Sequence, residues 1–401
     1  MRGTWLMQTS RPGMGQLAAP RVAALLLGLC SAGGPLPAHA APPRVPHQDS
    51  EVVEVLRERP LTEQDKAWRA LRAQARAHPT DAALAVQVAR QALRWARQDG
   101  DPRWLGQAQA ALAPWWSLAT PPDDVRLLRA TILQSTHDFD AALRDLRALV
   151  QARPAQPQAW LTLASVLQVT GQYDQAQGAC AALQSAGASW HAQACALELR
   201  SLRGEPDAAQ RGLAALVTRA PRELAGYLNL IRAELAQRQG QPDQAAALYQ
   251  SVLASEDDVY AQGAYADFLL DQGRAADVVA LLKGRERNDA LLLRLAQAYA
   301  ATGDAALDRS VQALRARFAA AHERGDSVHR REEARFMLYL LKRPAGALKL
   351  AQLNWQVQKE PADARILLEA AQAAGEPEAA DAVRAFMRRW GWADKRLEAW
   401  L

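Results

Sequence analysis

PQAWLTLASVLQVTGQYDQAQGACAALQSAGASW, residues 157–190, is the stretch that decides the fold. Trp160, Leu163, Ala164 and Leu167 fall at i, i+3, i+4 and i+7, the spacing of one helix face. Gly171 breaks that helix, and Tyr173, Ala176, Cys180 and Leu183 mark the face of a second. The stretch reads as two antiparallel helices joined by a tight turn. Neither helix can bury its apolar face alone, so such a unit has to stack on neighbours of its own kind.

Working outward, the same pattern recurs. One step of 34 residues back, Ala130, Leu133, Phe139, Ala142, Leu146 and Leu149 fall in register, Pro154 closes the unit and His137 stands at the turn. Forward, turn glycines stand at Gly204, Gly240, Gly273, Gly303 and Gly375, with Lys342 filling the one gap. From Gly171 these steps are 33, 36, 33, 30, 39 and 33, and Gly100 marks an earlier turn. Five residues after most turns stands an alanine: Ala142, Ala176, Ala209, Ala245, Ala347 and Ala380, with Leu105, Val278 and Asp308 as exceptions. Two helices that cross closely admit only a small side chain at the crossing. Pro79, Pro154, Pro221 and Pro361 are placed to stop second helices, since proline cannot continue one. The spacing predicts roughly nine hairpins across residues 60–390.

The unit 157–190 resembles the tetratricopeptide repeat family, whose pattern is Trp, then Leu-Gly, Gly-x-Tyr, Ala and a final Pro. Here Ala164 replaces the first-helix glycine, a small-for-small exchange. The resemblance implies an all-α superhelical solenoid with a concave groove. It is strong over 123–255 and degenerate elsewhere. The expected organisation is a signal segment at 1–40, a linker at 41–59, divergent repeats or a cap at 60–122, core repeats at 123–313, and divergent repeats or a cap at 314–401.

In that family, ligand contacts come mainly from first-helix positions two, five, six, nine, twelve and thirteen. In the best unit these are Gln158, Leu161, Thr162, Ser165, Gln168 and Val169. In the preceding unit they are Asp124, Leu127, Leu128, Thr131, Gln134 and Ser135, and the helix around Tyr227 offers Leu228, Asn229 and Arg232. This mixed polar and aliphatic surface suits an extended peptide or a partner helix. The Lys/Asn/Arg carboxylate clamp of some chaperone-binding members is not spelled out.

Composition agrees with the helical reading. Of 401 residues 49% are apolar, which excludes a disordered chain, and isoleucine occurs only at Ile132, Ile231 and Ile366. Lys and Arg number 48 against 43 acids; without Arg2, Arg11 and Arg21 of the signal segment the balance is 45 to 43, or +2. No dense basic stretch is interleaved with aromatics, so nucleic acid is not an expected partner.

Arg21, the apolar run Val22–Leu29 and the small-residue end Ala38-His39-Ala40 have the parts of a secretory signal cleaved after Ala40. A start at Met14 rather than Met1 makes that signal a compact 27 residues. Lipidation at Cys30 is disfavoured, because the residue before it is the bulky Leu29. No later segment is apolar for long enough to span a bilayer. The expected location is the periplasm or outside the cell. After cleavage Cys180 and Cys195 remain; an oxidising compartment permits a disulfide between them, and two buried thiols are the equal alternative.

The sequence holds no phosphate-binding glycine loop, dinucleotide fingerprint or nucleophile elbow. His322 and His329 lack the four-residue spacing that converges two rings on zinc; Asp326 takes that place, and a polar turn is expected. Asp123-Asp124 and Glu256-Asp257-Asp258 read as helix starts, where acids complement the macrodipole. Tryptophans crowd both ends: Trp68, Trp95, Trp104, Trp115 and Trp116, then Trp390, Trp392 and Trp400. They are expected to cap the terminal repeats. The charged stretch 314–334 breaks register and reads as a solvated face.

These readings predict a non-catalytic scaffold or adaptor of the cell envelope that holds a protein or peptide partner in its groove and needs no cofactor. The alternative is an accessory module of an envelope assembly process, such as polysaccharide export or respiratory-complex maturation, with a glycan or precursor bound through terminal tryptophans such as Trp115 and Trp116.

Overall fold

The computed structural model describes residues 46, 48, 50–52, 60–255, 257–326 and 328–401. The expected signal segment, Cys30, both start methionines and most of the linker lie outside the described residues. Two units divide the chain; one ends at Ala70 and the other comprises Leu71–Leu401. Helix α1 (Glu63–Ala77) begins in the first unit. There the Thr62 N–H donates to Asp65 Oδ2 at 2.9 Å, while the Asp65 N–H donates to Thr62 Oγ1 at 3.1 Å. This reciprocal cap satisfies two donors that a helix start leaves open.

The second unit is a run of antiparallel hairpins. In chain order they pair α2 (Ala82–Asp99) with α3 (Arg103–Ala111), followed by a one-turn α4 (Ala113–Trp116). Next come α5 (Asp123–Ser135) with α6 (Phe139–Ala152), α7 (Pro157–Val169) with α8 (Tyr173–Ser185), and α9 (Ser189–Ser201) with α10 (Pro206–Val217). Then follow α11 (Ala225–Arg238) with α12 (Pro242–Ser255), α13 (Val259–Asp271) with α14 (Ala275–Leu282), and α15 (Asp289–Thr302) with α16 (Leu307–Glu323). The last two pair α17 (Arg330–Arg335) with α18 (Pro344–Val357), and α19 (Pro361–Ala374) with α20 (Asp381–Trp390). A π-helical turn, Phe336–Leu340, extends α17. No strand occurs among the described residues.

Every turn read from the sequence is left-handed. The seven glycines at 100, 171, 204, 240, 273, 303 and 375 have φ between 63° and 82°. His137 (φ 59°) and Lys342 (φ 52°) adopt the same conformation without being glycine. An L side chain there crowds the following carbonyl, so the turn geometry is imposed by the hairpin rather than by local preference. Ala142, Ala176, Ala209, Ala245, Ala347 and Ala380 are completely buried at the crossings. Val278, an exception in the sequence, is equally buried, whereas Asp308 is exposed. Pro361 departs from the expectation. It opens α19 instead of ending α18, occupying a first-turn position whose N–H has no helical partner.

Cys180 and Cys195 form a disulfide with Cα atoms 5.7 Å apart. It ties α8 to α9 across successive hairpins. Closing a loop of this length is worth about 3 kcal/mol in the chain-entropy account.

The array also returns on itself. One hydrophobic core holds Leu146, Leu163, Leu167, Tyr173 and Leu199 of α6–α9 together with Leu348, Trp355, Leu367, Met387, Trp392 and Leu397 from the C-terminal end. The 314–334 stretch is only partly the solvated face expected of it. α16 carries its first part, but Glu333 and Ala334 are buried and Arg331 is nearly so.

Candidate functional site

With the turn residue of each hairpin counted as position fifteen, position nine is polar on α7, α9, α11, α13, α15 and α19 (Ser165, Glu198, Glu234, Asp267, Gln297 and Glu369), whereas positions twelve and thirteen are mixed. Polar side chains bond from one first helix to the next. Gln168 on α7 donates through Nε2 to Glu198 Oε1 on α9 at 2.7 Å. Arg238 on α11 donates to Ser201 Oγ on α9 at 2.8 Å. Gln237 on α11 reaches Asp271 on α13 at 3.2 Å.

Asp267 on α13 then accepts from Arg294 on α15 and from Arg335 on α17, both at 2.6 Å. Arg335 also donates to Gln297 Oε1 at 3.1 Å. Arg331 on α17 meets Glu360 at 2.9 Å and Asp363 on α19 at 3.3 Å. Arg365 on α19 spans back to Asp271 at 2.7 Å, and the Tyr339 hydroxyl donates to Glu369. The result is a polar ladder from α7 to α19. Within it Gln297 Nε2 is buried with no hydrogen-bond partner.

Burial and ion pairing set the charges of the ladder. Burial alone would raise the Asp267 carboxyl, but Arg294 and Arg335 outweigh it and hold Asp267 well below the usual carboxylate range. Glu332 is held down in the same way, mainly by Arg331 against the cost of burial. Asp363 goes the other way. Burial pushes its carboxyl up to about 6, with Arg331 pulling against the shift and Glu360 adding to it.

A second arrangement lies where the C-terminal end meets the middle repeats. The final carbonyls of α7 and α11, which a helix leaves without partners, accept from the last part of the chain: Lys359 N–H to Val169 O at 2.7 Å, and Lys395 N–H to Arg238 O at 2.9 Å. The Tyr173 ring packs 5.7 Å from Phe386 and 5.0 Å from Trp390, and the Arg203 guanidinium lies 5.2 Å above the Trp390 ring. Only glycine fits at the contact points. A Cβ on Gly171 would lie 2.9 Å from the Phe386 ring, and one on Gly204 3.3 Å from the Gly391 carbonyl oxygen.

The residues singled out by sequence fall into four places. Leu127, Thr131, Leu161 and Leu228 are buried between helices, where they hold the array. Gln158, Ser165 and Gln168 are half-buried on α7; Gln158 bonds Thr162, Ser165 bonds the Leu161 carbonyl, and Gln168 belongs to the ladder. Asn229 and Arg232 bond each other at 2.8 Å and lie outside the ladder. Counted from Gly240, the α11 residues at positions nine, twelve and thirteen are Glu234, Gln237 and Arg238.

Asp124 stands apart from all of these. It pairs with Arg90 at 2.9 Å beside a cleft of ≈ 780 Å³ at the starts of α2, α5 and α7, where Asp123 meets Arg153 at 2.6 Å. Among the described residues no group of three or more His, Cys, Asp or Glu could hold a metal, and no helix is long and apolar enough to cross a membrane. His322 meets Glu333 at 2.9 Å in the turn between α16 and α17.

Of the terminal tryptophans, Trp95 and Trp104 pack 4.7 Å apart, and Trp392 is buried. The Trp116 and Leu118 carbonyls are bound at 2.6 and 2.9 Å by Arg129, which also pairs with Asp145. This turn is thereby fastened over the first hairpins.

The array is built of helical hairpins with left-handed turns and, at six crossings, a buried alanine. Residues 133–197 of it match the family model for the tetratricopeptide repeat. No curated protein matches the sequence. Solved structures with a similar run of helices include the APC/C hetero-tetramer Cut9–Hcn1, at 13% identity and a TM-score of 0.44, over 77% of this chain and 60% of that one. This chain thus spans less than two thirds of that relative's length. A tetratricopeptide repeat protein from Parabacteroides merdae is 14% identical with a TM-score of 0.37, over 62% of this chain and 98% of its own. The human IFIT1 dimer with m7Gppp-AAAA is 11% identical with a TM-score of 0.44, over 82% and 86%.

Proposed function

We propose that this protein is a non-catalytic scaffold of the cell envelope, exported by its N-terminal segment, that binds a polypeptide partner along the polar ladder of its first helices. The repeat family is generally one of protein-interaction scaffolds, and the ladder supplies what such a scaffold needs. A stacked array presents its groups in fixed positions, so binding loses little entropy to ordering the receptor. The observation that carries the reading is the ladder itself: polar side chains of successive first helices are held in place by bonds from helix to helix, as Gln168 to Glu198, Gln237 to Asp271 and Arg335 to Asp267 and Gln297.

Export is tested together with binding. The full-length chain is expressed in its native host, captured from an envelope extract, and both bait and partners are read by mass spectrometry. A bait beginning at Ala41 with one stoichiometric polypeptide supports the reading. A bait that keeps residues 1–40 contradicts export, and repeated recovery of bait alone contradicts the adaptor role.

A further inference from the structure

We infer that the edge formed by the ends of α7, α9 and α11 is a docking surface for a partner segment carrying an aromatic ring and a cation, and that residues 386–396 of this chain are its tethered occupant. The edge has the chemistry of an acceptor for such a segment. Helices α7 and α11 point their C-termini at it, and the unsatisfied carbonyls there carry partial negative charge. Asp271 adds a full charge at the end of α13, where it meets Arg365 at 2.7 Å and Arg396 at 4.0 Å. Tyr173 supplies a ring, Gly204 removes a side chain that would keep an incoming backbone away, and Gly171 and Gly240 leave room for the side chains of Phe386 and Lys395.

The chain's own segment, FMRRWGWADKR, meets each of these demands. Phe386 and Trp390 pack on Tyr173, Gly391 lies on Gly204, and Lys395 lies over Gly240 while its N–H bonds the Arg238 carbonyl. The fit is incomplete. Tyr173 Oη and Trp392 Nε1 are both buried without hydrogen-bond partners, and Phe386 and Trp390 are only half-buried. A segment that satisfied the Tyr173 hydroxyl would compete with the tethered one. This inference rests on the adaptor reading and adds to it a second place of binding, with the chemistry of the segment it takes.

The test uses the full chain and a labelled synthetic peptide of residues 384–398 as the probe. A tethered occupant acts at a high effective concentration, so wild type should bind the peptide weakly. Trp390→Ala should loosen the tether and raise peptide affinity roughly tenfold or more. The opposite variant is a lock. The Cβ built on Gly240 lies 3.7 Å from the Lys395 Cβ, within disulfide range, so oxidised G240C/K395C should abolish peptide binding. Equal binding to all three chains overturns the inference, as does absent binding to a W390A chain of wild-type helicity. A concentration-dependent dimer of W390A also overturns it, because a second copy's segment would then be the occupant.

Hydrogen exchange on the wild type gives an answer that no variant can spoil. The Lys395 amide should exchange with protection roughly a hundredfold below that of the α7 and α11 interiors. Protection equal to those interiors overturns the inference. Capture of a partner that is insensitive to the lock sinks the docking edge and leaves the adaptor reading standing.

Discussion

Lys342 and Gly171 occupy the same place in their hairpins with opposite consequences. Lys342 is exposed and holds a left-handed backbone that favours glycine. Lys342→Gly should therefore raise stability by about 0.5–1 kcal/mol, measured by urea denaturation. Gly171→Ala should lower it by more than about 1 kcal/mol, since the new Cβ meets both the φ restriction and the Phe386 ring. Asp267 carries the charge prediction. Removing its carboxylate leaves Arg294 and Arg335 without their shared acceptor, so Asp267→Asn should cost about 3 kcal/mol at pH 7. The sign with pH follows from the depressed carboxyl. Its stabilisation is present above the unfolded-state value of about 4 and is lost as pH falls below it. Wild type should accordingly lose more stability than D267N between pH 7 and pH 3; equal losses would mean that Asp267 is not held ionised by the arginines.

Each hairpin depends on one close crossing. Ala176→Leu or Ala245→Leu adds volume where the alanine is fully buried and should cost about 1–3 kcal/mol. Asp308→Leu, at the same register position but exposed, should stay within about 0.5 kcal/mol of wild type. Paired replacement of Cys180 and Cys195 by alanine should cost about 3 kcal/mol and loosen α8 from α9; a smaller thermal shift than this implies would show that packing alone sets their spacing.

The turns and crossings were legible in the sequence because each is fixed by contacts within one repeat, down to His137 and Lys342 standing in for glycine. Position nine of the ladder was legible in principle, by counting back from each turn residue; Arg294, Arg331, Arg335 and Asp363 fall at other positions. Taking the α11 register from Tyr227 instead points to Leu228, Asn229 and Arg232. The step from Gly204 to Gly240 is 36 residues rather than 34, and the excess of two displaces Tyr227 by two positions relative to Trp160. A 3₁₀ turn at Arg222–Leu224 stands before α11. Registers hold from the turn, where backbone geometry is fixed, and drift toward the joints between hairpins.

For the unit spanning residues 71–401, the return of the C-terminal end onto α7–α11 was not legible. Periodicity reports how neighbours stack, whereas Lys359 on Val169 and Lys395 on Arg238 join positions far apart in the chain. The return does give the tryptophan-rich C-terminus a physical role, with Trp390 and Trp392 filling an edge whose carbonyls and Tyr173 need covering.

The account's central claim is that the ladder binds a polypeptide, and Gln297→Leu tests it most directly. Leucine removes the Oε1 that accepts from Arg335, so if Gln297 serves the fold alone, stability falls and capture by the folded chain is unchanged. The account predicts roughly tenfold weaker capture of the envelope partner by the folded chain, about 1.4 kcal/mol of binding. Capture at wild-type strength by a stably folded Q297L chain would contradict it.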